Sequence, residues 1–88
     1  MQWDVEQPAH PLQRWLDQEK LNYDGAAKRC RKLGTKIGAD YLKQVAQGYY
    51  CPSYRVAAFL AQRLCAGSFT VDEIASFPYS IRRCTWAA

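Results

Sequence analysis

The chain has no run of about 18 consecutive apolar residues, so no part of it reads as a membrane-spanning helix. It has one histidine, His10, and its cysteines stand singly at Cys30, Cys51, Cys65 and Cys84, with no C-x-x-C pair to make half of a metal clamp. That spacing points to no metal site. The opening MQWDVEQPAH has neither the basic start nor the apolar stretch of a secretory leader, so a soluble cytoplasmic protein with reduced cysteines is expected. Cys30 and Cys65 fall within helical patterns, where a thiol serves as a small buried apolar group. The chemistry of an enzyme is missing too. His10 stands in a proline-flanked arm without a nucleophile beside it, and the basic middle of the chain has no paired carboxylates. Asp72 and Glu73 are adjacent, but a helix-capping role accounts for Glu73. No catalytic residue, cofactor or small-molecule substrate is expected, and 88 residues leave little room for a cleft besides one core.

What the chain does have is positive charge in one place. Residues 1–24 carry Arg14 and Lys20 against Asp4, Glu6, Asp17, Glu19 and Asp24, a net of −3. Residues 25–69 carry Lys28, Arg29, Arg31, Lys32, Lys36, Lys43, Arg55 and Arg63 against Asp40 alone, a net of +7. The remainder is neutral, with Arg82 and Arg83 against Asp72 and Glu73. A dense one-signed middle is the footprint of a polyanion binder, although a solvated helix face accounts for such a run equally well.

The apolar residues recur at helical spacing and the connections are short. Pro11 opens a first helix in which Leu12, Trp15 and Leu16 share a face with Glu19, and Leu21 extends it. Asn22 and Asp24 suit the start of a second, GAAKRCRKL, with Ala26, Ala27, Cys30 and Leu33 inward and Gly34 as its stop. A third runs from about Ala39 to Gln47, with Leu42, Val45 and Ala46 inward and Gly48 ending it. Ser53 caps a fourth, whose apolar face comprises Val56, Ala57, Phe59, Leu60, Ala61 and Leu64. Thr70 and Glu73 have capping-box spacing for a short fifth, which Ile74 and Phe77 pack and Pro78 closes. Period-two alternation is absent, apart from a trace in YSIRRCTW, residues 79–86, compatible with a tail, a short strand or a dimer contact. The expected fold is an all-α compact bundle of about five short helices, with residues 1–11 an arm, 12–77 the domain and 78–88 a tail.

Helix two, a turn and helix three have the helix-turn-helix layout. The stretch AAKRCRKLGTKIGADYLKQVAQGYYCPS, followed by VAAFLAQRL and GSFTVDEI, resembles the Cro and repressor class of bacterial and phage regulators, in particular its YdaS-like subgroup. The resemblance covers residues 12–77. It implies a lambda-repressor-like DNA-binding domain, a phage or prophage setting, and a homodimer on a pseudo-palindromic operator. The chain departs from the pattern twice. Five residues separate Thr35 from Tyr41 where the family has about three, so either the turn is longer or Ile37 takes the buried turn position and helix two extends. After Gly48, where the family has basic residues, stand Tyr49 and Tyr50.

With Leu42, Val45 and Ala46 inward, Asp40, Lys43, Gln44 and Gln47 fall on the opposite side of helix three. Lysine can pair with guanine acceptors and glutamine with adenine, which makes Lys43 and Gln44 the first choices for base readout, with Gln47 beside them. Asp40 fits a helix cap better than a contact to cytosine. Lys28, Arg31, Lys36, Tyr50, Ser53 and Arg55 flank that helix as candidate backbone contacts, Ser53 at a helix start whose N–H groups suit phosphate. For Tyr41, phosphate contact and packing at the junction of helices two and three are equally weighted. Trp15 and Phe59 belong to core faces, with Phe69 and Phe77 packing helix five. Trp3 and Trp86 near the ends, and the tail from Phe69 to Trp86, are candidate self-association surfaces. The same fold also serves protein-interaction modules of inhibitor or antitoxin type, which need no such one-signed strip.

Overall fold

In a computed structural model, residues 9–86 are described and form an all-α bundle of five helices. These are α1 (Pro11–Glu19), α2 (Tyr23–Lys32), α3 (Ala39–Ala46), α4 (Tyr54–Phe59, running on through a π-helical turn over Leu60–Leu64) and α5 (Val71–Ala75). None of them is long and apolar enough to cross a membrane. The start signals act as the residue types require. The Asn22 side chain accepts from the Gly25 N–H, Ser53 from the Val56 N–H, and Thr70 and Glu73 close a reciprocal capping box. Gly34 ends α2 and Gly48 ends α3 at φ of +90° and +81°, where a side chain is strained.

Packing follows the apolar stripes. Leu12 and Leu16 of α1, Leu42 of α3, Leu60 of the turn continuing α4 and Ile74 of α5 are fully buried, and Ala26, Ala27 and Cys30 bring α2 close onto α3. The small residues let the two helices approach, so the basic side chains of α2 remain on the outside. Ile37 is buried in the turn between them, while α2 still ends at Lys32: the turn is longer and the helix does not extend. Leu33, expected inward, is half-exposed because it lies past the last helical residue, where the 3.6-residue period no longer places it.

The two ends of the described chain depart most from expectation. His10 is no part of a free arm. It is 1% exposed and caps α1, its Nδ1 accepting from the Leu12 N–H at 3.1 Å. That bond leaves the proton on Nε2, which donates to Tyr79 Oη at 2.7 Å, and the Tyr79 hydroxyl donates to the Ile74 carbonyl at 2.8 Å. Trp3 and the rest of the expected arm before Ala9 lie outside the described residues.

Residues 78–86 form a strap laid against the turn that follows α3. Ser80 N–H donates to Gly48 C=O, Ile81 and Arg82 N–H to Tyr49 C=O, and Cys51 N–H to Arg82 C=O, at 2.8–3.0 Å. Tyr50 and Arg82 make a single parallel bridge. Cys51 and Cys84 are joined as a disulfide, which corrects the expectation of four thiols; Cys30 and Cys65 alone are free, and both are buried. The Trp86 indole N–H reaches the Pro52 carbonyl at 2.9 Å, and its ring meets Tyr54 edge-on. The strap passes close to the end of α3. A Cβ on Gly48 would stand 2.6 Å from Phe77 Cε2, so only glycine fits.

Candidate nucleic-acid interface

The outer face of α3 carries the side chains that its periodicity selects. Leu42, Val45 and Ala46 are buried, and Asp40, Lys43, Gln44 and Gln47 are exposed. Asp40 does not cap the helix. Gly38 is the N-cap, without a side-chain bond, and Asp40 stands one position inside the first turn, where its charge complements the positive end of the helix.

Lys28 and Arg31 are exposed on α2, Lys36 in the α2–α3 turn and Arg55 on the first turn of α4. The ion pairs among the described residues are Arg14 with Glu73 and Arg29 with Glu19, each at 3.9 Å and half-exposed. Lys28, Arg31, Lys36, Lys43 and Arg55 therefore have no carboxylate partner among the described residues. Their charge is not neutralised within the domain, and the acidic groups of α1 meet only Arg29 of the basic middle.

Tyr41 is 40% exposed. With Gln44 it lines a hollow of about 510 Å³ bounded by α3, the turn after it and the strap. Tyr50 and Ser53 line the same hollow, as do Arg82 and Arg83. The Ser53 hydroxyl is engaged as the α4 cap at 3.3 Å from the Val56 nitrogen, and its own proton remains available for donation. Of the candidate contacts, Tyr41, Gln44, Tyr50 and Ser53 thus come together in one recess. Asp40, Lys43, Gln47, Lys28, Arg31, Lys36 and Arg55 lie outside it.

Arg82 and Arg83 were missed by charge counting, because the segment from Thr70 onward is neutral. The signal that could have found them lies in the cysteines. Cys30 and Cys65 occupy apolar helical positions, whereas Cys51 and Cys84 occupy none, and bonding this remaining pair brings the Arg-Arg sequence next to the turn after α3.

Phe69 and Tyr79 are buried in the chain's own core and Trp86 is half-buried on Tyr54 and Pro52, so most aromatics of the expected self-association surface are committed within the domain. Ile81, 62% exposed, is the large apolar residue the strap leaves open. Comparison with protein-family models, with characterised proteins and with solved structures gives no match for this chain.

Proposed function

We propose that the protein is a sequence-specific double-stranded DNA-binding regulator of the Cro-like repressor kind, acting in the cytoplasm, with α3 laid in the major groove of a pseudo-palindromic operator. The observation that carries this is the division of α3 into a buried face and a polar one. Lys43, Gln44 and Gln47 stand exposed on a helix packed against α1 and α2, and Lys28, Arg31, Lys36 and Arg55 are exposed and unpaired among the described residues, on α2, the α2–α3 turn and α4. A B-form major groove about 12 Å wide admits such a helix, and the groove edges offer the acceptor and donor pairs that lysine and glutamine read. Basic side chains to either side fix the register by phosphate contact.

A dimer supplies the two-fold symmetry that a palindromic site requires. The exposed Ile81 is the apolar residue of the strap available to it.

Selection from a random-sequence duplex pool, by oxidised protein, tests the function directly and is expected to enrich a two-fold related site. On that site Lys43→Ala or Gln44→Ala should weaken binding by about 1–3 kcal/mol and relax preference at one position. Arg31→Ala should weaken all duplexes alike and lower the salt dependence. An unenriched pool together with salt-insensitive binding would sink the proposal.

A further inference from the structure

The strap brings two cations to a place where the polypeptide following α3 has none. Between Gln47 and Ser53 the chain carries no charge, only Gly48, Tyr49, Tyr50, Cys51 and Pro52. Arg82 and Arg83, from the other end of the domain, line the recess that Tyr41 and Gln44 of α3 also line. Both arginines are exposed and neither pairs with a carboxylate among the described residues. Arg82 is gripped on both sides of its backbone, by Tyr49 C=O and by the Cys51 N–H, and Arg83 precedes the bonded Cys84.

We infer that the strap is a second phosphate-contacting element of the duplex-binding surface, that Arg82 and Arg83 are its contacts, and that the Cys51–Cys84 disulfide holds them there, so that reduction weakens duplex binding. This rests on the DNA-binding function proposed above. A helix in the major groove has a phosphate backbone along each rim. Guanidinium groups beside the Gln44 flank of α3 stand where one of those rims passes, and their planar fork suits phosphate oxygens.

The bond matters because the other attachments are weak. Tyr79 anchors the start of the strap in the core, but beyond it a few backbone hydrogen bonds at a surface and one indole contact leave residues 80–86 free to open locally, whereas a bond between residues 33 apart confines them. The chemistry is ordinary thiol exchange. A thiolate of a small thiol or dithiol reductant attacks one sulfur, forming a mixed disulfide and releasing the other cysteine as a thiolate, which takes up a proton. A second reductant thiolate displaces the remaining cysteine. Two electrons and two protons pass to Cys51 and Cys84, and the reductant leaves as its own disulfide. Cys51 and Cys84 are half-buried and reachable, while Cys30 and Cys65 are already thiols and enclosed. In a reducing cytoplasm such a bond is of the transient, sensing kind.

The test measures affinity against salt concentration for a mixed-sequence duplex of about 30 base pairs, since each phosphate contact contributes about 0.9 to the logarithmic slope. Oxidised wild type should give the steepest slope. Oxidised Arg82→Ala/Arg83→Ala should lose between one and two units of slope and bind several-fold more weakly, and Arg82→Lys/Arg83→Lys should regain most of the slope. Wild type treated with dithiothreitol should fall toward the alanine variant, and Cys51→Ser/Cys84→Ser should match it with or without reductant while circular dichroism reports intact helices. Salt-dependent binding with the same slope in all these forms would overturn the strap as a contact and leave the DNA-binding function standing. Tighter binding after reduction would overturn it also, because the strap would then screen α3. No salt-dependent binding by any form would overturn both.

Discussion

The α2–α3 pair and the strap lie in one small domain but are held by different forces. The helix pair is made by burial. Ala26, Ala27, Cys30, Leu42, Val45 and Ala46 recur at helical intervals and close on one another, and the cap and stop residues lie within a turn of what they terminate. The strap buries Tyr79 and half-buries Trp86, but its course beyond Tyr79 is set by backbone bonds to Gly48, Tyr49 and Cys51 and by one covalent bond. The first kind of structure distributes its stability over many contacts. The second concentrates it in a few groups, each of which can be removed or titrated.

The sharpest break of that contrast is Leu42→Ala, which should cost about 3–5 kcal/mol and unfold helix pair and strap together, because its side chain is enclosed by the core that every element shares. A denaturant titration followed both by far-ultraviolet circular dichroism and by tryptophan fluorescence should show one coincident transition. Two separated transitions would mean that the strap folds by itself.

Cutting the covalent link should cost less, about 2–4 kcal/mol for closure of a ring spanning 33 residues, and should loosen the strap before the helices. Cys51→Ser/Cys84→Ser should show lowered amide protection over residues 79–86, with α2 and α3 much less affected. Uniform loss of protection would erase the distinction between the two regions. The second pair of cysteines provides an internal control. Burial pushes the Cys65 thiol up to about 12, with Cys30 and Glu19 nearby adding to the effect, and burial raises Cys30 as well. Neither should react with an alkylating agent in the folded protein, so a folded, reduced chain should take up label at Cys51 and Cys84 alone.

The smallest of these effects concerns pH. Burial, with a further contribution from the positive charge of Arg14, lowers His10 from 6.5 to about 4. In the folded protein the ring is neutral and holds Tyr79 and the Leu12 N–H. Between these two values the unfolded chain binds a proton that the folded chain does not, so this stabilisation is complete above about 6.5 and is lost as pH falls toward 4. The loss should be on the order of 2–3 kcal/mol, read as a falling denaturation midpoint. His10→Asn preserves a capping acceptor but cannot titrate there, and should flatten the dependence over that interval. An unchanged slope in that variant would remove His10 as the cause.

Most of the helical architecture is legible from spacing. The caps at Asn22, Ser53 and Thr70, the stops at Gly34 and Gly48, and the inward residues of α3 each follow from interactions within a few positions, which is the range that periodicity and end chemistry report. The polar face of α3 is legible for the same reason. Asp40 was misassigned because a cap depends on which residue first leaves helical geometry, and that was Gly38. Leu33 was misassigned because a period says nothing past the last turn.

His10, Tyr79, Cys51, Cys84, Arg82 and Arg83 belong to another class. No local pattern distinguishes a histidine in an arm from one buried beneath a tyrosine 69 residues later, and no count of charge within a segment can show that it lies against another. From its sequence alone, the chain determined five helices, a basic middle and a helix face of lysine and glutamine, since those arise between neighbours a few residues apart. Only the tertiary structure decided that His10 and Tyr79 meet, that two of four cysteines are bonded, and that the strap sets two arginines beside α3. Such contacts depend on the path of the whole chain, which brings distant segments to one place.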